Sequence, residues 1–376
     1  MICNDEEVLW AWLASGGLTP LEIRSLMAMD PDPAHLITDC QQDRGAFMEV
    51  PLSSRIRETL KRNAAPRKMA DTAMLMAQHG IHIVTIMDEK YPERLRPLPD
   101  APAILFIQGN MDSLAGPTAA MVGSRNASYA GLTATRRISE TLSRAGIRII
   151  SGLAYGIDAA AHEGCLKGES PTISVLGCGL DQDYPAENAG LRKRILDSGG
   201  LIISEYAPGE KPLGWHFPFR NRIISGLGDC LIVMEARTRS GSMTTVQHAL
   251  NQGKDVFVYP GDPTSPRSEG NHQLIREGAI YFTTAEDVME DMQWLDKTRN
   301  VGQNIPGNQE EDPSLSQGEK QLMDQLNRGE QSFDQLCIAL GFSAAQLNAT
   351  LSMLQIRGLV QALPGKIYQK ISPADF

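Results

Sequence analysis

"GIRIISGLAYGIDAAAHEGCL" (146–166) reads as a short apolar strand, a glycine turn and then a helix. Gly152 and Gly156 bracket Leu153–Tyr155 at the junction, and Asp158 falls in the first turn of the helix. A carboxylate is favoured there by unpaired backbone N–H groups, so Asp158 has a capping role that needs no ligand. The other reading makes the turn the wall of a ligand cradle. His162 lies four residues on, on the same helical face. No cysteine or second histidine stands at metal-ligand spacing from it, so a zinc site is rejected.

The same strand–turn–helix unit recurs on both sides of this stretch. Apolar runs of strand length occur at "IHIVTIMD" (81–88), "AAMVGSR" (119–125), "TISVLGCG" (172–179), "LIISEY" (201–206), "CLIVMEA" (230–236) and "DVFVYPG" (255–261), with "AIYFT" (279–283) as a possible last strand. Several are apolar without alternation, as strands covered on both faces are. Helical stretches such as "YAGLTATRRISETLSRAG" and "SMTTVQHALNQG" supply the crossovers. The expectation is an open, mostly parallel α/β sheet over about residues 80 to 295.

Ahead of it, "EEVLWAWLA", "TPLEIRSLMAM" and "SSRIRETLKRNAA" have apolar residues at helical spacing, giving a helical region over 1–70 and a core over 71–296. Arg55, Arg57, Lys61, Arg62, Arg67 and Lys68 form a basic run opposed only by Glu58. A solvated helix face explains it, and contact with a nucleic-acid backbone is the alternative. After the core, the polar stretch 297–317 reads as a linker. Residues 318–376 then read as three short helices and a hairpin, the pattern of a winged helix, with Ser332 and Ser343 as N-caps. Its basic and acidic side chains balance, so a protein-contact or regulatory role is as reasonable as duplex reading.

The chain of 376 residues is long enough for two or three domains. Its formal net charge of -10 argues against indiscriminate adhesion to DNA or to an anionic membrane, though not against a local basic cleft. The six cysteines are scattered without a Cys-x-x-Cys pair, no apolar run reaches membrane-spanning length, and Asp5, Glu6 and Glu7 stand where a signal peptide would be basic. A reducing cytoplasm is the expected compartment, with no metal or cofactor.

Candidate site residues gather at strand ends. Gly123, Ser124 and Arg125 follow one strand, where backbone donors and a forked guanidinium suit an anion. Gly177 and Gly179 in "GCGLDQDYPAEN" permit close approach, and Pro185 suits the first turn of a helix. In "WHFPFRNRIISGLGD", Arg220 and Arg222 flank Asn221 beside Phe217 and Phe219. Charge for phosphates beside rings for bases suits single-stranded nucleic acid. Glu235, Arg237, Arg239, Ser240, Gly241, Ser242 and Thr244 follow another strand, at the sheet edge where open α/β folds bind ligands. Glu235 is the one plausible lone catalytic carboxylate, and pairing with nearby arginines is its other role.

Read in order, "SGLAYGIDAAAH", "LGCGLDQDYPAEN", "GLIISEY", "FPFRNRIISGLGDCLIVMEARTRSGSMTT", "ALNQGKDVFVYPG" and "GNHQLIREGA" resemble the bacterial DNA-processing protein A (DprA/Smf) family over about 80 to 284. The resemblance implies an extended Rossmann-like core, an N-terminal sterile-alpha-motif-like (SAM-like) helical domain and a C-terminal winged helix. It further implies a non-enzyme that protects single-stranded DNA in natural transformation, loads the RecA recombinase on it and dimerises through its core. The family's glycine–serine–arginine loop falls on Gly123, Ser124 and Arg125, and its Phe-Pro-x-Arg-Asn-Arg loop on 217–222. DNA contact is therefore expected at Gly123, Ser124, Arg125, Phe217, Phe219, Arg220, Asn221, Arg222, Arg239 and Ser240. Gly152, Gly156, Asp158, Gly177, Gly179, Glu235 and Gly241 are expected to shape the pocket.

The chain departs from the family pattern at Tyr155, where arginine is common, and at Tyr129-Ala130-Gly131 in place of tyrosine-glycine. Its N-terminal helices also lack the glycine-rich hairpin of helix-hairpin-helix DNA binders. The rival reading is a Rossmann-like nucleotide phosphoribohydrolase using Glu235, although the usual Pro-Gly-Gly-x-Gly-Thr run is absent.

Overall fold

The computed structural model describes residues 5–294, 317–326, 331–356, 359–363 and 367–370. The chain divides into two compact units, Met1–Leu295 and Asp296–Phe376. Apart from Gln317, the expected linker lies outside the described residues.

The first unit is built on a nine-stranded sheet. Its strands are β1 (His82–Thr85), β2 (Ile104–Gly109), β3 (Thr118–Val122), β4 (Arg148–Ser151), β5 (Ile173–Leu176), β6 (Leu201–Ser204), β7 (Cys230–Val233), β8 (Asp255–Val258) and β9 (Ile280–Tyr281). The order across the sheet is β1-β2-β6-β5-β4-β3-β7-β8-β9. From β6 to β9 every pairing is parallel, whereas β1 with β2 and β2 with β6 are antiparallel. The sheet is therefore mixed. The sequence reading missed β2, and the last expected strand shortens to the two residues of β9.

Alternate residues of the parallel strands enter different apolar clusters, as a sheet covered on both faces requires. Ala120, Ile150, Leu231 and Val256 pack with Ile223, Ile224 and Leu227 of the helix His216–Leu227. Ala119, Ile149, Ile232 and Phe257 pack with Ile138, Leu142 and Ala161, from the helices Tyr129–Arg144 and Ile157–Cys165. The chain leaves β3 toward β4 on one side and returns as β7 on the other. The loops after β3 and β7 thus flank a reversal of strand order, where open α/β sheets accommodate ligands.

The N-terminal helices are fused to this sheet. Trp12, Leu26, Leu36, Phe47 and Leu60 share one buried cluster with Phe106, Ile202, Leu176 and Leu153. The helix Pro66–His79 runs across position 70, where the sequence reading ended the first region. No helix among the described residues is long and apolar enough to cross a membrane.

The second unit holds the helices Gln317–Leu326, Phe333–Leu340 and Ala344–Ile356, with strands Gln331–Ser332, Val360–Leu363 and Ile367–Lys370 in one small antiparallel sheet. Ser332 and Ser343 cap the second and third helices, each exchanging bonds with a glutamine three residues on. Leu322, Leu336, Leu347, Leu351 and Leu354 form its core. This is a winged-helix arrangement.

Candidate functional site

The turn after β4 is shaped by a guanidinium. A Cβ at Gly152 would stand 2.5 Å from Arg220 Nη1 and 2.7 Å from its Cζ. Nη1 donates to the carbonyls of Gly152 and Val175, so Arg220 cannot swing aside without losing both. Gly156 has a φ of +75°, and a Cβ there would collide with the backbone carbonyl of Ser124. Only glycine lets the turn after β4 close on the loop after β3, where Ile157 N donates to Ser124 O.

Asp158 does not cap its own helix. Its Oδ2 accepts from Gly152 N at 3.2 Å, tying the preceding turn instead. It is buried, which raises its pKa, while the charge of Arg220 opposes that rise. Arg220 is itself pushed down to about 10 by burial, with Asp158 opposing the change. His162 is fully buried: Nδ1 is 2.8 Å from Thr172 Oγ1, and Nε2 has no partner. Burial, and secondarily the charge of Arg220, pushes it down to about 3, so the ring is neutral. Among the described residues no group of three histidine, cysteine or acidic side chains could hold a metal ion.

A small pocket opens above Arg220 at the carboxyl ends of β3, β4 and β5. It is lined by Arg125, Gly152, Ala154, Tyr155, Leu176, Gly177, Tyr184, Pro185, Phe217 and Arg220. Arg125 is exposed, and its guanidinium carbon lies 5.4 Å from the centroid of the Phe217 ring. Phe217 also meets Tyr184, with ring centroids 5.3 Å apart and the planes tilted by 33°, and Gly177 leaves room for Phe217 at 3.0 Å. Tyr155 stands at the rim and donates its hydroxyl to Glu187, a bond that raises the tyrosine pKa and lowers the glutamate's. The result is a small cationic site walled by aromatic rings. Inside there is room for little more than a water-sized group beside Arg125 and Arg220, which suits a small anionic oxygen, while the exposed rings of Tyr155 and Tyr184 offer planar surface at the mouth.

The "FPFRNR" stretch is not a loop. It opens the helix His216–Leu227, and that changes what its residues do. Phe217 and Arg220 face the pocket, but Phe219 and Arg222 turn away from it. Arg222 is fully buried, and Nη2 forks onto both oxygens of Glu205 at 2.7 and 2.9 Å. Its Nε donates to Asp100 O, its Nη1 donates to Phe219 O, and its guanidinium lies 3.8 Å over the Phe219 ring. Every donor atom of Arg222 is engaged within the protein, so its expected role as a phosphate ligand gives way to a structural one. Burial raises the pKa of Glu205, and Arg222 opposes that shift.

Glu235 also differs from its expected pairing with arginines. Its carboxylate is buried and accepts from Ser128 N at 3.0 Å and Ser128 Oγ at 2.6 Å. Ser128 in turn caps the helix Tyr129–Arg144 through Gly131 N. The backbone of Glu235 accepts from Ser124 N at 2.6 Å, joining the loops after β7 and β3 beside Gly123. Arg239 is exposed, Ser240 Oγ is buried without a partner, and Asn221 Nδ2 reaches Gly241 O only at 3.5 Å. These residues do not line the pocket. A Cβ at Gly241 would meet nothing, so no pocket-shaping role requires glycine there, while Gly179 lies against Asp181 and Ala207. Pro185 precedes a 3-10 turn, Ala186–Asn188, rather than opening a helix.

Two pocket rings, Tyr155 and Tyr184, were not among the expected site residues, although both stand close to glycines that were. A third omission is Asn271, fully buried. It accepts from Ala236 N at 2.7 Å and donates to the carbonyls of Met234 and Tyr259, so it fixes the end of β7. The only sequence signal for it was its place in "GNHQLIREGA".

The model of the DNA recombination-mediator protein A family matches residues 82–293, and that of the DprA winged helix domain matches 306–366. The chain is 45% identical over 213 residues to DNA processing protein DprA of Streptococcus pneumoniae, covering 56% of this chain and 74% of that protein. It is 41% identical over 230 residues to Protein Smf of Escherichia coli, covering 61% of this chain and 62% of that protein, which is less than two thirds of its length. The X-ray structure of the Streptococcus pneumoniae protein superposes with a TM-score of 0.65 and 35% identity, over 77% of this chain and 99% of that one. DNA processing protein A of Helicobacter pylori, whose structure was described for its single-stranded DNA binding mode, gives 0.51 and 29%, over 56% and 95%.

Proposed function

Because the chain belongs to the DNA recombination-mediator protein A family, we propose that its first unit binds single-stranded DNA at the carboxyl end of the sheet. The bound strand is protected and passed to a RecA recombinase, without bond-breaking chemistry. The reading includes a homodimer formed through the Rossmann-like core, a SAM-like fold for the helical domain 1–70 and cytoplasmic residence.

One observation carries this reading. Arg125 projects over the Phe217 ring, beside Arg220 and near Tyr184, so a cation and aromatic rings meet in one small pocket. In this reading the guanidinium of Arg125 holds a phosphate, and an unpaired base of any identity rests on the exposed rings at the pocket mouth, Tyr155 and Tyr184. Duplex DNA offers no free base face to such a pocket. Gly123, Ser124, Phe217 and Asn221 support Arg125 and Arg220 in this role, with Arg239 and the backbone of Ser240 as outer contacts. Glu235, which a phosphoribohydrolase would need free, is committed to Ser128.

The test is a titration of labelled oligothymidylate and of a matched duplex against the full chain at several salt concentrations. The expected result is a strong preference for the single strand, with affinity falling as salt rises. Equal affinity for both, or release of free base from nucleoside monophosphates, would overturn the reading.

A further inference from the structure

The basic run at 55–68 separates, once folded, into two cations engaged within the protein and four outward ones. Arg57 donates to the carbonyls of Val50 and Leu52, and Lys61 pairs with Asp43. Arg55, Arg62, Arg67 and Lys68 are exposed, and among the described residues their side chains have no hydrogen-bond or ion-pair partner. They sit on the helices Ser54–Asn63 and Pro66–His79, which meet at a two-residue corner. Arg55 and Arg62 are seven positions apart, hence on one helical face and separated by about 10 Å. Arg67 and Lys68 lie just past the corner, in the first turn of the second helix, where the helix dipole disfavours a cation. Helix stability therefore does not account for Arg67 and Lys68, whereas Arg62, in the last turn of the first helix, is favoured by the dipole there. Glu58 and Asp71 are the only acids on the two helices.

We propose that this surface is a second hold on the phosphate backbone of single-stranded DNA, outside the pocket. The proposal rests on the reading of the pocket given above. Two observations favour a nucleic-acid strand as the occupant. First, four unpaired cations gather here on a chain whose net charge is -10, so the attraction is local rather than general. Second, Leu60 and Ala64 beneath the patch belong to the same buried cluster as Leu176, which lines the pocket, and Leu153, which lies between the lining residues Gly152 and Ala154. The patch and the pocket are parts of one packed body, and a strand too long for the pocket has a cationic surface on that body to follow. A membrane fits less well. The apolar side of the second helix, with Met76 and Met69, is packed into the cluster, leaving Met74 as its one well-exposed large apolar side chain.

The test uses the full chain with Arg62→Ala, Arg67→Ala and Lys68→Ala combined, beside Lys90→Ala, Arg137→Ala and Lys167→Ala combined as a control of equal charge from exposed positions elsewhere. Each is titrated with a short oligothymidylate that engages only the pocket and its rim and with a long one, over a range of salt. The patch variant is expected to lose about tenfold or more in affinity for the long strand, and about 2 in salt slope, since each lost phosphate contact removes roughly 0.7. Its affinity for the short strand should match the parent's. Unchanged long-strand binding in a variant that melts normally would overturn the proposal. So would equal losses on short and long strands, or the same loss in the control. A loss confined to duplex DNA, or to vesicles rich in anionic lipid, would also reject it. Failure of the pocket itself reads differently: the parent would not bind the short strand, and Arg125→Ala would change nothing, while the long-strand arm still decides the fate of the patch.

Discussion

Arg220 and Arg222 stand two positions apart on one helix and meet opposite surroundings. Arg220 is held against Gly152 at the pocket floor, whereas Arg222 is locked onto Glu205 and Asp100 on the other side. A two-residue step turns a helix by about 200°, which is enough to send neighbouring arginines to different tasks.

Arg222→Ala is expected to unfold the protein more easily rather than to weaken a DNA contact. It leaves the Glu205 carboxylate without its charge partner, and breaking a buried pair from one side costs about 3–5 kcal/mol. Joint replacement of Arg222 and Glu205 should recover part of that loss. Urea denaturation measures both, alongside oligothymidylate binding under folded conditions. An Arg222→Ala protein with an unchanged midpoint and much weaker binding would restore the phosphate role.

Arg125→Ala has the opposite signature. The side chain is exposed, so the melting temperature should stay near the parent's while single-strand affinity falls alike for different base sequences. The salt slope should drop by roughly 0.7 for the one contact removed. Arg125→Lys keeps the charge but not the planar fork over Phe217, and should recover only part of the affinity. Full recovery by lysine would mean that charge alone matters.

His162 makes stability depend on pH. Its folded value is about 3, below the ordinary 6.5, so between these values the unfolded chain binds a proton that the folded chain does not. Its contribution is complete above pH 6.5 and is lost as pH falls toward 3, by up to about 1.4 kcal/mol per pH unit. The raised pKa of Asp158 acts in the opposite sense at the lower end, so parent and variant must be compared directly. Urea midpoints of His162→Gln measured from pH 4 to pH 7 should show a flatter profile than the parent's. Parallel profiles would contradict a neutral buried ring.

Removing residues 296–376 should leave most single-strand affinity in place, because the pocket and the basic patch both lie in the first unit. The winged helix should also add little affinity for duplex DNA, since its third helix, "AAQLNATLSMLQI", has no charged residue. Binding of a duplex by the full chain and by the truncated chain decides this. A large loss on truncation would give the winged helix a direct DNA role.

The parallel strands were legible because each is a short apolar run ahead of a helical pattern, as in 146–166. β2 was not, since Pro97, Pro99 and Pro102 precede it and no crossover helix follows to complete the unit. The site was legible in part for a related reason. Gly152, Gly156 and Arg125 can be read locally, because turn chemistry and exposure are set by near neighbours. Glu235 and Arg222 cannot. Their partners, Ser128 and Glu205, lie 107 and 17 positions away, and nothing along the chain distinguishes a buried pair from a free one. Reading "FPFRNR" as a loop hid the helical turn that separates its two arginines.

The short strands at both ends of the sheet bear on how the protein behaves at high concentration. β9 is two residues long and β1 is four, so neither border offers another molecule an extended row of unpaired backbone groups. Edge-to-edge association, the usual route by which open sheets aggregate, has little to grip at either end. A substitution that lengthened the pairing along β9, such as one extending the strand past Tyr281, should lower solubility before it alters the fold.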